Sequence, residues 1–360
     1  MTRRIGVLIA AFAIVAAACG GGDEASSEEP SASVDASASA SAVEATTTTA
    51  ASSSDEEVET EATTTTAAPT TTEAATSRFV DHAFGATEVP LQPERIAVLN
   101  AGTILPILLS LGVDTIVGAP LPEGPLDATR LLTDEDVAGI TSIGFPQENP
   151  ELLAAVEPDL IIGFDLGLEE TYRTYSQLAP TVAIELDLND WRSTGELLAA
   201  ALGLEAEMAA ALADYDARVE ALQAAIGDPS TIEVTVVRAL GPNIRLHTPF
   251  HFAGQVLDDV GFSWPEAVPT DDPETRLVQV SLEELPSADA DHLFVFGAGQ
   301  AADGSDVDAT VQAIFDHPLY PTLGVAETGN VHVVDPLGWQ QGGIPAAHLI
   351  LGDLEGVFAS

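Results

Sequence analysis

Asn149-Pro-Glu-Leu-Leu-Ala-Ala-Val-Glu-Pro-Asp-Leu-Ile-Ile-Gly-Phe164 and Ser281-Leu-Glu-Glu-Leu-Pro-Ser-Ala-Asp-Ala-Asp-His-Leu-Phe-Val-Phe296 follow one pattern. Each opens on a helix-capping residue, Asn149 or Ser281, and places a glutamate two positions later, Glu151 or Glu283. Each then reaches an aspartate, Asp159 or Asp291, just before a short apolar run. A cap followed by an acid in the first turn starts a helix, and a short apolar run behind it reads as a buried strand. Two such copies far apart in one chain imply two lobes built from a common helix-and-strand unit.

The alternation extends outward from both copies. Ile96–Leu99, Thr115–Gly118, Leu160–Gly163 and Thr181–Ile184 read as strands, and Ile104–Leu111 and Asn149–Val156 as helices. In the second half, Ile232–Val237, His292–Phe296 and Val331–Val334 read as strands, with helices at Phe252–Val260, ended by Gly261, and at Ile344–Val357. Between them Thr194–Ile226 carries helical apolar spacing, with Gly203 as a point where it can divide into two helices. The expected fold class is α/β, two Rossmann-like lobes joined by one long helix with a ligand cleft between them. The lobes are assigned to 78–193 and 228–360 and the connecting helix to 194–227, roughly 45 Å long at the standard rise, which predicts little hinge swing.

Ahead of the lobes, Arg3 and Arg4 precede an apolar stretch ending at Cys19, the chain's single cysteine. Residues 1–18 read as a signal peptide, and cleavage before Cys19 resembles a bacterial lipoprotein signal whose thiol takes the lipid. Residues 19–77 are almost wholly Ser, Thr, Ala, Glu and Gly, a composition that cannot bury enough apolar surface to fold. They read as a tether reaching roughly 40 Å, of a kind that often carries O-glycans.

The chain has 57 acidic residues, 11 arginines and no lysine, a formal charge of −46. That excludes nucleic acid as a partner, since nothing could replace its counterions. One cysteine excludes a disulfide framework and, in the mature body, thiol catalysis. Hydrolase elbow, phosphate-loop and zincin motifs are missing from the sequence, so enzymatic activity is not expected.

With Val89-Pro, Pro93-Glu-Arg95-Ile-Ala-Val-Leu99, Leu111-Gly-Val-Asp114, Pro158-Asp-Leu-Ile-Ile162, Ser281-Leu-Glu283, Trp339 and the closing helix Ala346–Leu354, the body resembles the siderophore, haem and cobalamin class of substrate-binding proteins that feed ABC importers. The resemblance implies capture of a ferric siderophore outside the cell, with cobalamin, haem or a directly held metal as alternatives, and delivery to an ABC permease. It implies that Glu151 and Glu283 dock on permease arginines, and no cofactor is expected, iron entering only as its chelate.

Ligands in such folds sit at the carboxyl ends of the strands. The loops there offer Asn100, Phe164, Trp191, Arg238, Arg245 and Trp339 as ligand-binding residues, Arg238 foremost because it follows a buried strand and resembles an arginine of siderophore binders. Arg276 is a further candidate. His247 and His251 are spaced like a ligand pair, but Pro249 between them opposes the helix that would align them, so no protein-held metal is expected. The net charge, taken globally, favours a ferric hydroxamate over an anionic catecholate.

Overall fold

The computed structural model describes residues 76–124, 126, 130–297 and 307–359. Cys19, the signal peptide and nearly all of the tether lie outside them. The described chain opens with an antiparallel hairpin of β1 (Ser77–His82) and β2 (Gly85–Pro90). Strand β1 therefore includes Ser77, the last residue expected in the tether.

The first lobe contains β3 (Ile96–Val98), α1 (Ile104–Ser110), β4 (Ile116–Ala119), β5 (Thr141–Ser142), α2 (Pro150–Ala155), β6 (Leu160–Phe164), α3 (Tyr172–Tyr175) and β7 (Thr181–Ile184). Its strands are ordered β5-β4-β3-β6-β7, all parallel. Every residue of β3 and β7 is buried, as expected for strands covered on both faces. Asn149 caps α2 by accepting the Glu151 N–H at 2.8 Å, and Asp159 accepts from the Glu94 and Arg95 N–H groups at the foot of the sheet.

Two helices follow, α4 (Trp191–Leu202) and α5 (Glu205–Ile226). The span 194–227 is thus not one helix. Gly203 adopts φ +73, the left-handed conformation that ends a helix, and the Gly203 and Leu204 N–H groups both return to the Ala199 carbonyl. The long connector is α5 alone, roughly 33 Å for its 22 residues. Asp190 caps α4 through the Arg192 and Ser193 N–H groups.

The second lobe contains β8 (Val234–Leu240), β9 (Asn243–His247), α6 (Phe252–Val260), β10 (Leu277–Ser281), β11 (His292–Phe296), α7 (Val307–Phe315), α8 (Gly324–Thr328), β12 (Val331–Val333) and α9 (Ile344–Phe358). Its order, β10-β9-β8-β11-β12, repeats that of the first lobe, but β9 and β10 run antiparallel to their neighbours. Asn243–His247 and Leu277–Ser281 were not read as strands in the sequence. The tight turn at Gly241, φ +73, lets β9 fold straight back on β8 without a crossover helix.

One apolar core runs through both lobes. It joins Val98 and Ile162 of the first sheet, Met208, Tyr215, Val219 and Leu222 of α5, Phe294 and Phe296 of the second sheet, and the inner face of α9. Close approach fixes α6: a Cβ on Gly254 would stand 1.9 Å from the Thr248 carbonyl oxygen, whereas one on Gly356 of α9 would meet nothing. We predict that Gly254→Ala lowers stability by several kcal/mol, as overpacking against backbone does, while Gly356→Ala raises it by roughly 0.5–1 kcal/mol through helix propensity. Chemical denaturation of both variants checks this.

Candidate functional site

In both sheets the strand order reverses beside the central strand, between β3 and β6 and between β8 and β11, and this is where α/β sheets open a crevice. A cavity of roughly 360 Å³ lies at these points. The first lobe supplies Asn100, just past β3, and an apolar wall that includes Leu99, Leu121, Leu126 and Phe145. The second supplies Arg238 near the end of β8, together with Leu337, Gln340 and Gln341. Asn100 Oδ1 accepts the Thr103 and Ile104 N–H groups at 2.6 and 3.3 Å. Its oxygen is thereby committed to starting α1, and its amide hydrogens remain the donors. Thr103 Oγ1 meets Gln341 Oε1 at 3.4 Å and Gly102 packs against the same glutamine, so the two lobes touch beside the cavity.

Arg238 does not stand alone. Arg245 of β9 is its direct cross-strand partner, so their side chains share one face. Arg245 Nε is held by Gln279 Oε1 at 3.2 Å, and Arg276 Nε by the Phe250 carbonyl at 3.2 Å. Beside them His247 and His251 pack with ring centroids 3.9 Å apart, each with a buried Nδ1 that has no hydrogen-bond partner among the described residues. Burial, then His251 and the three arginines, hold His247 well below the usual imidazole pKa; burial, then Arg276 and Arg238, push His251 down to about 3. This surrounding of positive charge opposes a bound cation.

Residues 96–336 match the family model described as periplasmic binding protein. The chain belongs to the periplasmic binding protein family. The probable siderophore-binding lipoprotein YfiY of Bacillus subtilis is 32% identical over 293 residues, 79% of this chain and 89% of that one. The ferric enterobactin-binding periplasmic protein FepB of Escherichia coli is 27% identical over 276 residues, 71% and 83% of the two chains. The crystal structure of Staphylococcus aureus SirA complexed with staphyloferrin B aligns with a TM-score of 0.64 at 26% identity, covering 78% of this chain and 97% of that one.

In this periplasmic binding protein Asn100 and Arg238 line the cleft, and Arg245 lies beside Arg238. The other expected ligand residues lie elsewhere. Trp339 is fully buried, stacked on Phe294 with centroids 4.8 Å apart and donating from Nε1 to Asp353, and so belongs to the core. Trp191 is 4% exposed, edge-on to Tyr215 and Phe252. Phe164 ends β6, half-buried against the core and outside the cavity lining. Phe145 was missed: it is 53% exposed at the cavity and follows β5, a strand of two residues too short to leave a period. Glu151 and Glu283 are both exposed, whereas Glu284 accepts from the Ser281 N–H at 3.3 Å and acts as a cap.

Because His247 and His251 resist protonation when folded, the unfolded chain binds protons that the native state refuses. Stability is full above pH 6.5 and declines below it, by up to about 1.4 kcal/mol per pH unit for each histidine. Replacing His251 by Gln should flatten the decline between pH 6.5 and 5 by about one proton's share, measured by urea denaturation. An unchanged slope would contradict the assignment.

Proposed function

We propose that the cleft captures a ferric siderophore outside the membrane and delivers it to an ABC permease, by binding alone. The observation that carries this is one cavity at both sheet reversals, with an apolar wall from one lobe and Arg238 from the other. A chelate that wraps iron in oxygen donors on an organic backbone fits such a two-sided wall. The names of YfiY, FepB and SirA support the same ligand class. Cobalamin and haem are the alternatives in the same fold.

Asn100, Arg238 and Arg245 are proposed as ligand contacts, joined by Phe145 and Gln340. Glu151 and Glu283, at matching places in the two lobes, are proposed as the docking points on permease arginines, where charge-assisted hydrogen bonds would set register. Cys19 is proposed as the lipidated residue, and 19–77 as the tether holding the lobes near the membrane.

Isothermal titration should show one ferric siderophore bound at submicromolar Kd, with its iron-free form far weaker; binding of cobalamin or haemin alone would overturn the reading. Glu151→Ala with Glu283→Ala should abolish uptake in cells and leave ligand affinity within about twofold, because exposed acids outside the cavity contribute nothing to ligand contact. A large affinity loss would contradict the docking role. Cys19→Ser should move the protein from the membrane to the soluble fraction.

A further inference from the structure

Asp335, just past β12, is buried at 7% exposure. Its Oδ1 accepts the Leu337 and Gly338 N–H groups at 3.0 and 2.7 Å, which shapes the turn that brings Pro336 and Leu337 to the cavity. Its Oδ2 accepts the main-chain N–H of Arg130, a residue of the first lobe. Leu126 and Leu132, on either side of Arg130 in the chain, line the cavity from that lobe. One buried carboxylate therefore serves both walls.

The Arg130 side chain makes a second crossing. Its Nη2 donates to both oxygens of Asp353 on α9, at 2.8 and 2.7 Å, and its Nε stands 4.0 Å from Asp335 Oδ2. Asp353 Oδ2 also accepts from Trp339 Nε1 at 2.9 Å, which anchors it to the buried core of the second lobe. The pairs Arg192–Asp259 and Arg218–Glu355 instead join helices that contribute nothing to the cavity lining. The contact from Thr103 Oγ1 to Gln341 Oε1, at 3.4 Å, is longer than a good hydroxyl bond. Of these contacts, the firm fastening beside the cavity is the one through Arg130.

We propose that Arg130, which lies outside the cavity lining, is the positioning residue that holds the two cleft walls in register and thereby sets how long a ligand stays. This rests on the reading of the cavity as the ferric-siderophore site. The guanidinium is 59% exposed, so the pair contributes little to global stability. Its effect is local. Walls fixed before binding need no ordering when the ligand arrives, and the gain appears in the dissociation rate.

The test is stopped-flow binding of the full protein to ferric enterobactin, ferric citrate and ferrichrome, with hydrogen exchange of the Arg130 amide in the ligand-free protein. For a chelate that binds, Arg130→Gln and Asp353→Asn should each raise koff about three- to fivefold, the scale of an exposed ion pair, and leave kon within about twofold. Asn at 353 still offers an oxygen to Trp339. The double variant should lose no more than the worse single one, as expected for residues acting as a pair, and Arg130→Lys should recover part of the loss. The urea midpoint should not move. Exchange of the Arg130 amide, protected by its bond to Asp335, should quicken about threefold or more in Asp353→Asn. Unchanged koff, additive losses or unchanged exchange would overturn the positioning role and leave the siderophore reading standing. Binding of none of the three chelates would overturn both.

Discussion

The packing of α5 and α9 against both sheets at once governs everything else in the structure. Trp191 from α4, Tyr215 from α5 and Phe252 from α6 meet edge-to-face, so the first lobe's last helix, the connector and a helix of the second lobe share one aromatic joint. Tyr215 donates to Asp259 at 2.8 Å, Arg192 pairs with the same aspartate at 3.0 Å, and Gln223 bonds the Asp259 and Val260 carbonyls, which ties α4 and α5 to the end of α6. Gly343, at φ +107 ahead of α9, leaves room for Ile107 of α1. A wide opening of the lobes would expose several of these side chains, at about 1.5–3 kcal/mol each. The cleft is therefore held close to one shape, and selection must come from the chemistry of its walls.

That chemistry is divided between the lobes. The first contributes apolar side chains and the amide of Asn100; the second contributes arginine. In a chain at −46 an arginine in the cleft lining stands out against the prevailing charge. An arginine about 4 Å from an anionic oxygen near a protein surface gains on the order of 4 kcal/mol before desolvation, while an exposed acid beyond a Debye length contributes little. Nearest contacts outweigh total charge.

Much of the fold was legible in the sequence because its signals are local. Phe252–Val260 and His292–Phe296 appear where the apolar pattern placed them, and Asn149 caps its helix as its place in the echo suggested. Gly203 was visible as a possible break, but only its left-handed φ decides that α4 and α5 are separate. β9 and β10 were missed because Asn243–His247 carries a half-buried arginine and Leu277–Ser281 is only half-buried, which blurs their alternation. The site was less legible. Arg238 follows from its position after a buried run, whereas the pairing of Arg245 with it depends on register across a hairpin that the sequence did not announce. Trp339 and Trp191 have the composition of stacking residues, and only their burial shows that they serve the core.

Described residues after Cys19 contain no other cysteine, so spin labels can be placed on the exposed positions Glu135 and Glu274, one in each lobe, in a protein carrying Cys19→Ser. The separation of these labels, measured by pulsed electron resonance with and without a saturating ferric siderophore, tests the preformed cleft most directly. A shift below about 2 Å, with the distance distribution narrow in both states, is the result predicted for a rigid pair of lobes. A broad distribution that collapses to a much shorter distance on binding would show that the lobes swing, and that the shared core does not fix the site.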